Sequence, residues 1–518
     1  MAYRNAIREG LRDSEFLYTL EHVPALLSDG VRALDELARN AELVGRDPRM
    51  RGVNIGDRVK STACFSTVEC GKIAAEASGL VPLLHLAGKD RLPHEAVGVI
   101  RSALDAGLRN LLLVTGDRVM EPTRPGRTRY HESVVAVQDA RRLDPDCIVA
   151  TAMSPFKYRE EELANQYLKM VKKIGAGTSY IITNCSWDMR KFEELIWYRD
   201  ARGFDIPIVA NLLLPSIGWA RGIHSGRLPG VYMSDSLFAL IQEEQKEGKE
   251  AARRRYQQRL AMQVVGVKLM GYAGVQLSGV ETYEALSGII DLVEELEKTV
   301  TSRADWDQAW AEMNRLPDGQ PVSFSPPGGL YMFGRERPAP CSLDALPDLG
   351  EVAPADGEMA KYKRMSRIHQ AMFDRDGLGA KVLAPLMRAV DATGPGQRAL
   401  LKFEHMTKSA ALGCETCGFC RIEYLNYVCP ETCPKGLANG PCSGTDDNVC
   451  EFKDRECIHN RKYRLAKATG TLKALEEVLV PAVEGTRGTS SWINYYNGTN
   501  PPVVRIQPRR GKKSRTER

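Results

Sequence analysis

Between residues 16 and 298, short apolar runs alternate with stretches of helical periodicity, and that alternation leaves few architectures open. Runs at residues 16–20, 52–55, 81–86, 110–115, 147–153, 179–183, 206–214 and 275–277 have the length of strands, and helical patterns cover residues 93–108, 160–174 and 281–298. Strands separated by helices are parallel βαβ units, because antiparallel neighbours need only a short turn. Eight such strands predict an α/β fold, a closed (β/α)8 TIM barrel. An open doubly wound sheet would carry a Gly-x-Gly-x-x-Gly turn after its first strand, and none occurs there. Barrel chemistry is built from the C-terminal ends of the strands, which is where Glu21, His85, Asp117, Ser154, Asn184 and Gln276 fall.

At 518 residues the chain is too long for one core, since single cores stop growing near ~250–300 residues. The expected division is a barrel over residues 1–300, a Pro/Gly-rich connector at 301–352, a small cysteine-rich domain of helices and irregular structure at 353–480, and an extension with a basic tail at 481–518. The connector should wrap against the barrel, because residues 330–333 are apolar enough to pack. Helices are expected at 357–373, at 380–391, where Pro385 kinks or shortens the second one, and at 461–478. The net charge of +5 can come entirely from Arg505, Arg509, Arg510, Lys512, Lys513, Arg515 and Arg518 against Glu517. A solvated terminus is the simplest reading of that tail, and no basic stripe with interleaved aromatics predicts nucleic-acid binding. Charged residues among the first thirty (Arg4, Arg8, Glu9, Arg12, Asp13 and Glu15) do not resemble a secretory signal. No apolar run reaches the ~18–20 residues of a membrane span, so a cytoplasmic protein is expected.

Eight of the thirteen cysteines lie between Cys414 and Cys457. They are Cys414, Cys417, Cys420, Cys429, Cys433, Cys442, Cys450 and Cys457, and in a reducing compartment such density indicates metal or iron–sulfur ligation rather than disulfides. Three cysteines at intervals of three can face one cubane, with a fourth arriving next to proline, as in Cys429-Pro430 and Cys433-Pro434. Eight thiolates therefore point to two four-iron (4Fe-4S) clusters. One cluster with zinc or spare thiols, or zinc alone, are the alternatives.

The barrel region resembles the methylenetetrahydrofolate reductase family over residues 13–300, through Leu20-Glu21-His22-Val23-Pro24 on the first strand, His85-Leu86 on the third, Gly116-Asp117 after the fourth, and Ala176-Gly177 leading to Thr183-Asn184 on the sixth. The family has Gln where Asn184 stands and Arg where Thr115 stands. The cysteine region resembles the C-terminal domain found with some bacterial reductases of this family, through Cys417-Gly418-Phe419-Cys420, Cys429-Pro430, Cys433-Pro434-Lys435-Gly436 and Asn439-Gly440-Pro441-Cys442. The resemblance implies a flavin, FAD ahead of FMN, contacted by His85, Thr115, Gly116, Asp117 and Ala152 and by Gln166, Lys169, Lys172 and Lys173 on the helix after strand five. It implies a folate substrate met by Glu21, Asn184 and Gln276. Glu21 would protonate the departing N10 as the imidazolidine ring opens, and Asp117 would bias the flavin toward hydride donation. Arg118 would meet the folate tail or solvent. Electrons would come from NAD(P)H or from a ferredoxin-like protein through the clusters, and an oligomer is expected. The competing readings are a methyltetrahydrofolate-dependent methyltransferase and a non-catalytic adaptor for a redox partner.

Overall fold

A computed structural model describes residues 3–507 apart from 60, 62, 120–128, 340–345, 351 and 375. Cys341 and the tail from Arg509 onward lie outside the described residues. Eight parallel strands close into a barrel in sequence order: β1 (Leu17–His22), β2 (Met50–Ile55), β3 (Leu83–Ala87), β4 (Asn110–Val114), β5 (Ile148–Met153), β6 (Tyr180–Cys185), β7 (Ile208–Leu213) and β8 (Gly274–Ser278). This is the (β/α)8 TIM barrel that the alternation predicts. Closure depends on Gly274, which lies opposite Leu17, because a Cβ there would sit 2.5 Å from both the Cβ and the carbonyl oxygen of Leu17.

The β7–β8 crossover is longer than the sequence pattern indicates and carries three helices, Ile217–His224, Asp235–Lys246 and Lys249–Leu269. Beyond the barrel, the Arg303–Met313 helix buries Trp306 against Gly266. The following coil runs back over the barrel flank, where the Leu330 N–H donates to the Tyr158 carbonyl at 3.0 Å and Lys191 Nζ donates to the Leu330 carbonyl at 2.7 Å.

Three helices then lead into the cysteine region: Glu358–Phe373, Leu378–Asp391 and Gly394–Leu412. The second runs through Pro385 without ending. The third escapes the sequence pattern because it opens on Gly394-Pro395-Gly396, residues that read as a turn, although proline is well tolerated in a first helical turn. The eight clustered cysteines sit in largely irregular backbone between Leu412 and the Ile458–Ala468 helix, and the stretch expected to be helical at 461–478 splits into that helix and Leu472–Glu477. Both pack on the Glu160–Ala176 helix, which follows β5. Among the described residues no helix is long and apolar enough to cross a membrane.

Candidate active site

Strand register assembles a polar cluster at the C-terminal end of β1, β2 and β8. Glu21 lies opposite Asn54, and Thr19 opposite Gln276. Asn54 Nδ2 donates to Thr19 Oγ1 at 2.8 Å and to Gln276 Oε1 at 3.0 Å. With its oxygen so engaged, Gln276 turns its Nε2 toward Glu21 Oε1 at 3.2 Å. Burial pushes the Glu21 carboxyl above the usual glutamate value, against the lowering effect of hydrogen bonds from Ser278 and Gln276. The site thus holds a carboxyl biased toward its protonated form and aimed by a fixed amide. Asn54 was not among the expected site residues, and its only sequence signal is a single amide in an otherwise apolar strand end.

Asn184 is committed on both sides, accepting from the Cys185 N–H at 2.8 Å and donating to the Gly230 carbonyl at 3.3 Å. Gly230 borders a cleft of about 520 Å³ walled by Tyr158, Arg159, Tyr232 and Asp446. Among the described residues His85 Nε2 and Ser154 Oγ are buried polar atoms without a hydrogen-bond partner. Burial lowers the His85 pKa to about 4, so the imidazole is neutral at pH 7. Two orphaned polar atoms, one on β3 and one just past β5, are what a barrel built to meet a polar ligand would leave open.

Gly116 turns at φ +90°, and a Cβ there would lie 2.9 Å from the Lys89 side chain. Asp117 follows it, exposed, and its carbonyl accepts from Tyr130 Oη at 3.0 Å. Thr115 is buried with its hydroxyl 3.5 Å from Ser133 Oγ. The cysteine domain reaches this turn directly. Lys435 Nζ donates to the Gly116 carbonyl at 2.9 Å and pairs with Glu451, which also accepts from the Arg118 N–H at 2.6 Å and from Cys442 Sγ at 3.4 Å. Although burial works against the Lys435 charge, Cys442, Glu451 and Asp117 hold it protonated. The Arg118 guanidinium stacks over Phe452, 5.1 Å from the ring centre.

The lysines that the resemblance assigns to flavin contacts are interface residues in this fold. The Glu160–Ala176 helix is buried from Glu160 through Ile174. Lys169 Nζ donates to the Gly440 and Pro441 carbonyls at 3.1 and 2.9 Å and pairs with Glu132 at 3.2 Å. Gln166 accepts from Ser443 Oγ at 2.9 Å, Lys173 Nζ donates to the Ala152 carbonyl, and Lys172 is 1% exposed, its charge strongly disfavoured by burial and by the neighbouring Lys462. Glu132, equally buried, accepts from the backbone N–H groups of Ala438 and Asn439.

The eight cysteines separate in chain order into two groups. Cys414, Cys417, Cys420 and Cys429 line one small cavity, and Cys433, Cys442, Cys450 and Cys457 line another. Cys429 and Cys433 are joined by the Pro430–Thr432 turn, so their Cα atoms are at most about 14 Å apart. Among the described residues no group of three or more His, Cys, Asp or Glu side chains is drawn together around a single ion position.

The methylenetetrahydrofolate reductase family matches residues 6–276, and the family described as methylene-tetrahydrofolate reductase C terminal matches residues 396–484. No curated protein matches. Solved structures similar to the chain include a protein described as a phosphonomutase from Burkholderia cenocepacia J2315, 12% identical, covering 57% of this chain and 96% of its own with a TM-score of 0.31. A dihydrodipicolinate synthase, also 12% identical, covers 57% of this chain and 82% of its own with a TM-score of 0.30. The family matches take in the barrel with its strand-end polar residues and all eight clustered cysteines: the chain belongs to the methylenetetrahydrofolate reductase family and is an oxidoreductase acting on methylenetetrahydrofolate.

Proposed function

We propose that the chain interconverts 5,10-methylenetetrahydrofolate and 5-methyltetrahydrofolate at the barrel mouth, with a flavin held there and electrons relayed through two four-iron centres in the cysteine domain. The observation that carries this reading is the Lys435–Glu451 pair, which ties the second cysteine group to the Gly116–Asp117 turn. The residues fit the groups. Each cavity offers four sulfurs around a space rather than at a point, which suits a cubane. Unpartnered His85 Nε2 and Ser154 Oγ, with the close backbone approach at Gly116, suit a flavin ring.

When bound, the flavin supplies the hydride that reduces the one-carbon unit. Glu21 supplies the proton to N10 as the imidazolidine ring opens, and Gln276 keeps its carboxyl aimed. Asp117 lies within the fields of Lys89 and Lys435, so the negative charge it presents is partly compensated. Where the resemblance leans to FAD, the cover on Gln166, Lys169, Lys172 and Lys173 by cysteine-domain backbone favours FMN, which has no adenylate half to place.

An anaerobic spectrum combined with iron, sulfide, zinc and released-flavin assays tests the reading. FMN with about eight irons, and flavin oxidation on adding methylenetetrahydrofolate to the reduced protein, is the expected result. Zinc in place of iron would reduce the cysteine domain to a staple, and absence of flavin would overturn the reductase mechanism.

A further inference from the structure

The Glu358–Phe373, Leu378–Asp391 and Gly394–Leu412 helices, with the short Ser491–Tyr496 helix, enclose an apolar groove of about 730 Å³. Met365, Leu383, Leu386, Phe403 and Trp492 line it, and so does Cys420 of the first cysteine group. The floor of the groove is therefore a wall of a sulfur site. Large apolar side chains of its lining stay in water: Ile368 is 45% exposed, and Leu386 and Phe403 51%. A contiguous patch of this kind marks a contact surface. Among the described residues the buried Trp492 indole nitrogen has no hydrogen-bond partner.

The helices that form the groove are cationic. Arg364 lines it, and Arg367, Lys381, Arg388 and Lys402 are exposed on the same helices. The ion pairs formed there among the described residues use Glu404 with Lys408, His369 with Glu423, and Glu358 with Arg461 and Arg464, and leave those five cations out. Charge decides between occupants. The chain's own basic tail would meet like charge, and a second copy docked through the same face would bring the cations together across a twofold axis.

We propose that this groove docks an acidic electron-carrier protein of the ferredoxin class. The proposal rests on the reading that the cysteine groups hold four-iron centres. The carrier is oxidised by one electron and the first centre is reduced by one, with no bond made or broken. Docking here puts the carrier beside Cys420, and the Pro430–Thr432 turn leads from the first cysteine group to the second and so to the barrel mouth.

The test uses the full chain, purified anaerobically, with an acidic ferredoxin as the probe, and binding is measured by calorimetry at low and high salt. Wild type should bind, and more weakly at high salt. Phe403→Asp, and separately the double variant Arg364→Glu/Lys402→Glu, should each weaken binding about tenfold or more while retaining wild-type iron and circular dichroism. Three results overturn the proposal: no binding by iron-loaded wild type, binding indifferent to both variants, or a wild-type dimer that Phe403→Asp dissociates. Wild type without iron would instead remove the reading on which the proposal rests, and the iron assay separates that failure from the others.

Discussion

The acid role proposed for Glu21 needs its carboxyl protonated, and burial favours that form. Its pKa lies above the usual 4.5, so the folded state binds a proton that the unfolded chain has already lost. Activity in the methylene-reducing direction should fall as pH rises through the folded pKa. Glu21→Gln should lower kcat by about 100-fold or more with flavin content unchanged, and should abolish that limb of the pH profile. A variant that loses rate but keeps the limb would assign the proton to another group. His85 has the opposite sign. Burial moves it from 6.5 down to about 4, so the unfolded chain binds the extra proton and stability should be lost as pH falls across that window. His85→Gln should flatten this loss in denaturant titrations at pH 7, 5.5 and 4, and identical slopes for both proteins would show that the imidazole is not buried neutral.

The strands of the barrel were legible because each is an apolar run with a polar residue at its end, and the register that pairs Glu21 with Asn54 then follows from closure. The Glu160–Ala176 helix was legible as a helix, but its surroundings were not. Its Gln166, Lys169, Lys172 and Lys173 read as flavin contacts, whereas Glu160 through Ile174 is buried, one side in the barrel core and the other carrying Gln166 and Lys169 against the cysteine domain. Nothing local in a sequence announces that a distant loop will supply carbonyls to Lys169 and donors to Glu132. The division of the cysteines was equally hidden, since spacing allows several groupings and chain order alone decides the observed one. Two predictions belong at this scale. Cys417→Ser and Cys450→Ser should each remove about half the iron, because the groups are separate sites; loss of all iron from either would mean that the sites form together. Glu132→Gln should cost about 3–5 kcal/mol, because it leaves Lys169 buried without its counter-charge. Hydrogen exchange at residues 438–441 should rise in that variant, and unchanged protection there would show that the pair does not hold the interface.

At the scale of the molecule, the barrel and the cysteine domain share cores rather than a linker. Ala164 and Leu168 of the barrel cluster with Tyr463, Ala466 and Leu475, Tyr130 clusters with Cys433 and Leu437, and Val134 clusters with Leu479 and Ile506. Arg202 completes the seam with a buried two-oxygen contact to Glu476. Separate domains joined by a small polar interface unfold separately, but an interface with apolar clusters and buried ion pairs couples its halves. The whole chain should therefore melt in one calorimetric transition, with barrel tryptophan fluorescence and the visible absorbance of the proposed clusters lost together. Anaerobic removal of iron by a chelator should lower the temperature of that single transition, because the second cysteine group anchors Lys435 and Glu451 against the Gly116–Asp117 turn. Two transitions, with the barrel indifferent to the chelator, would show that the centres stabilise only their own domain and that the ties at Gly116 do not carry the cysteine domain's stability into the barrel.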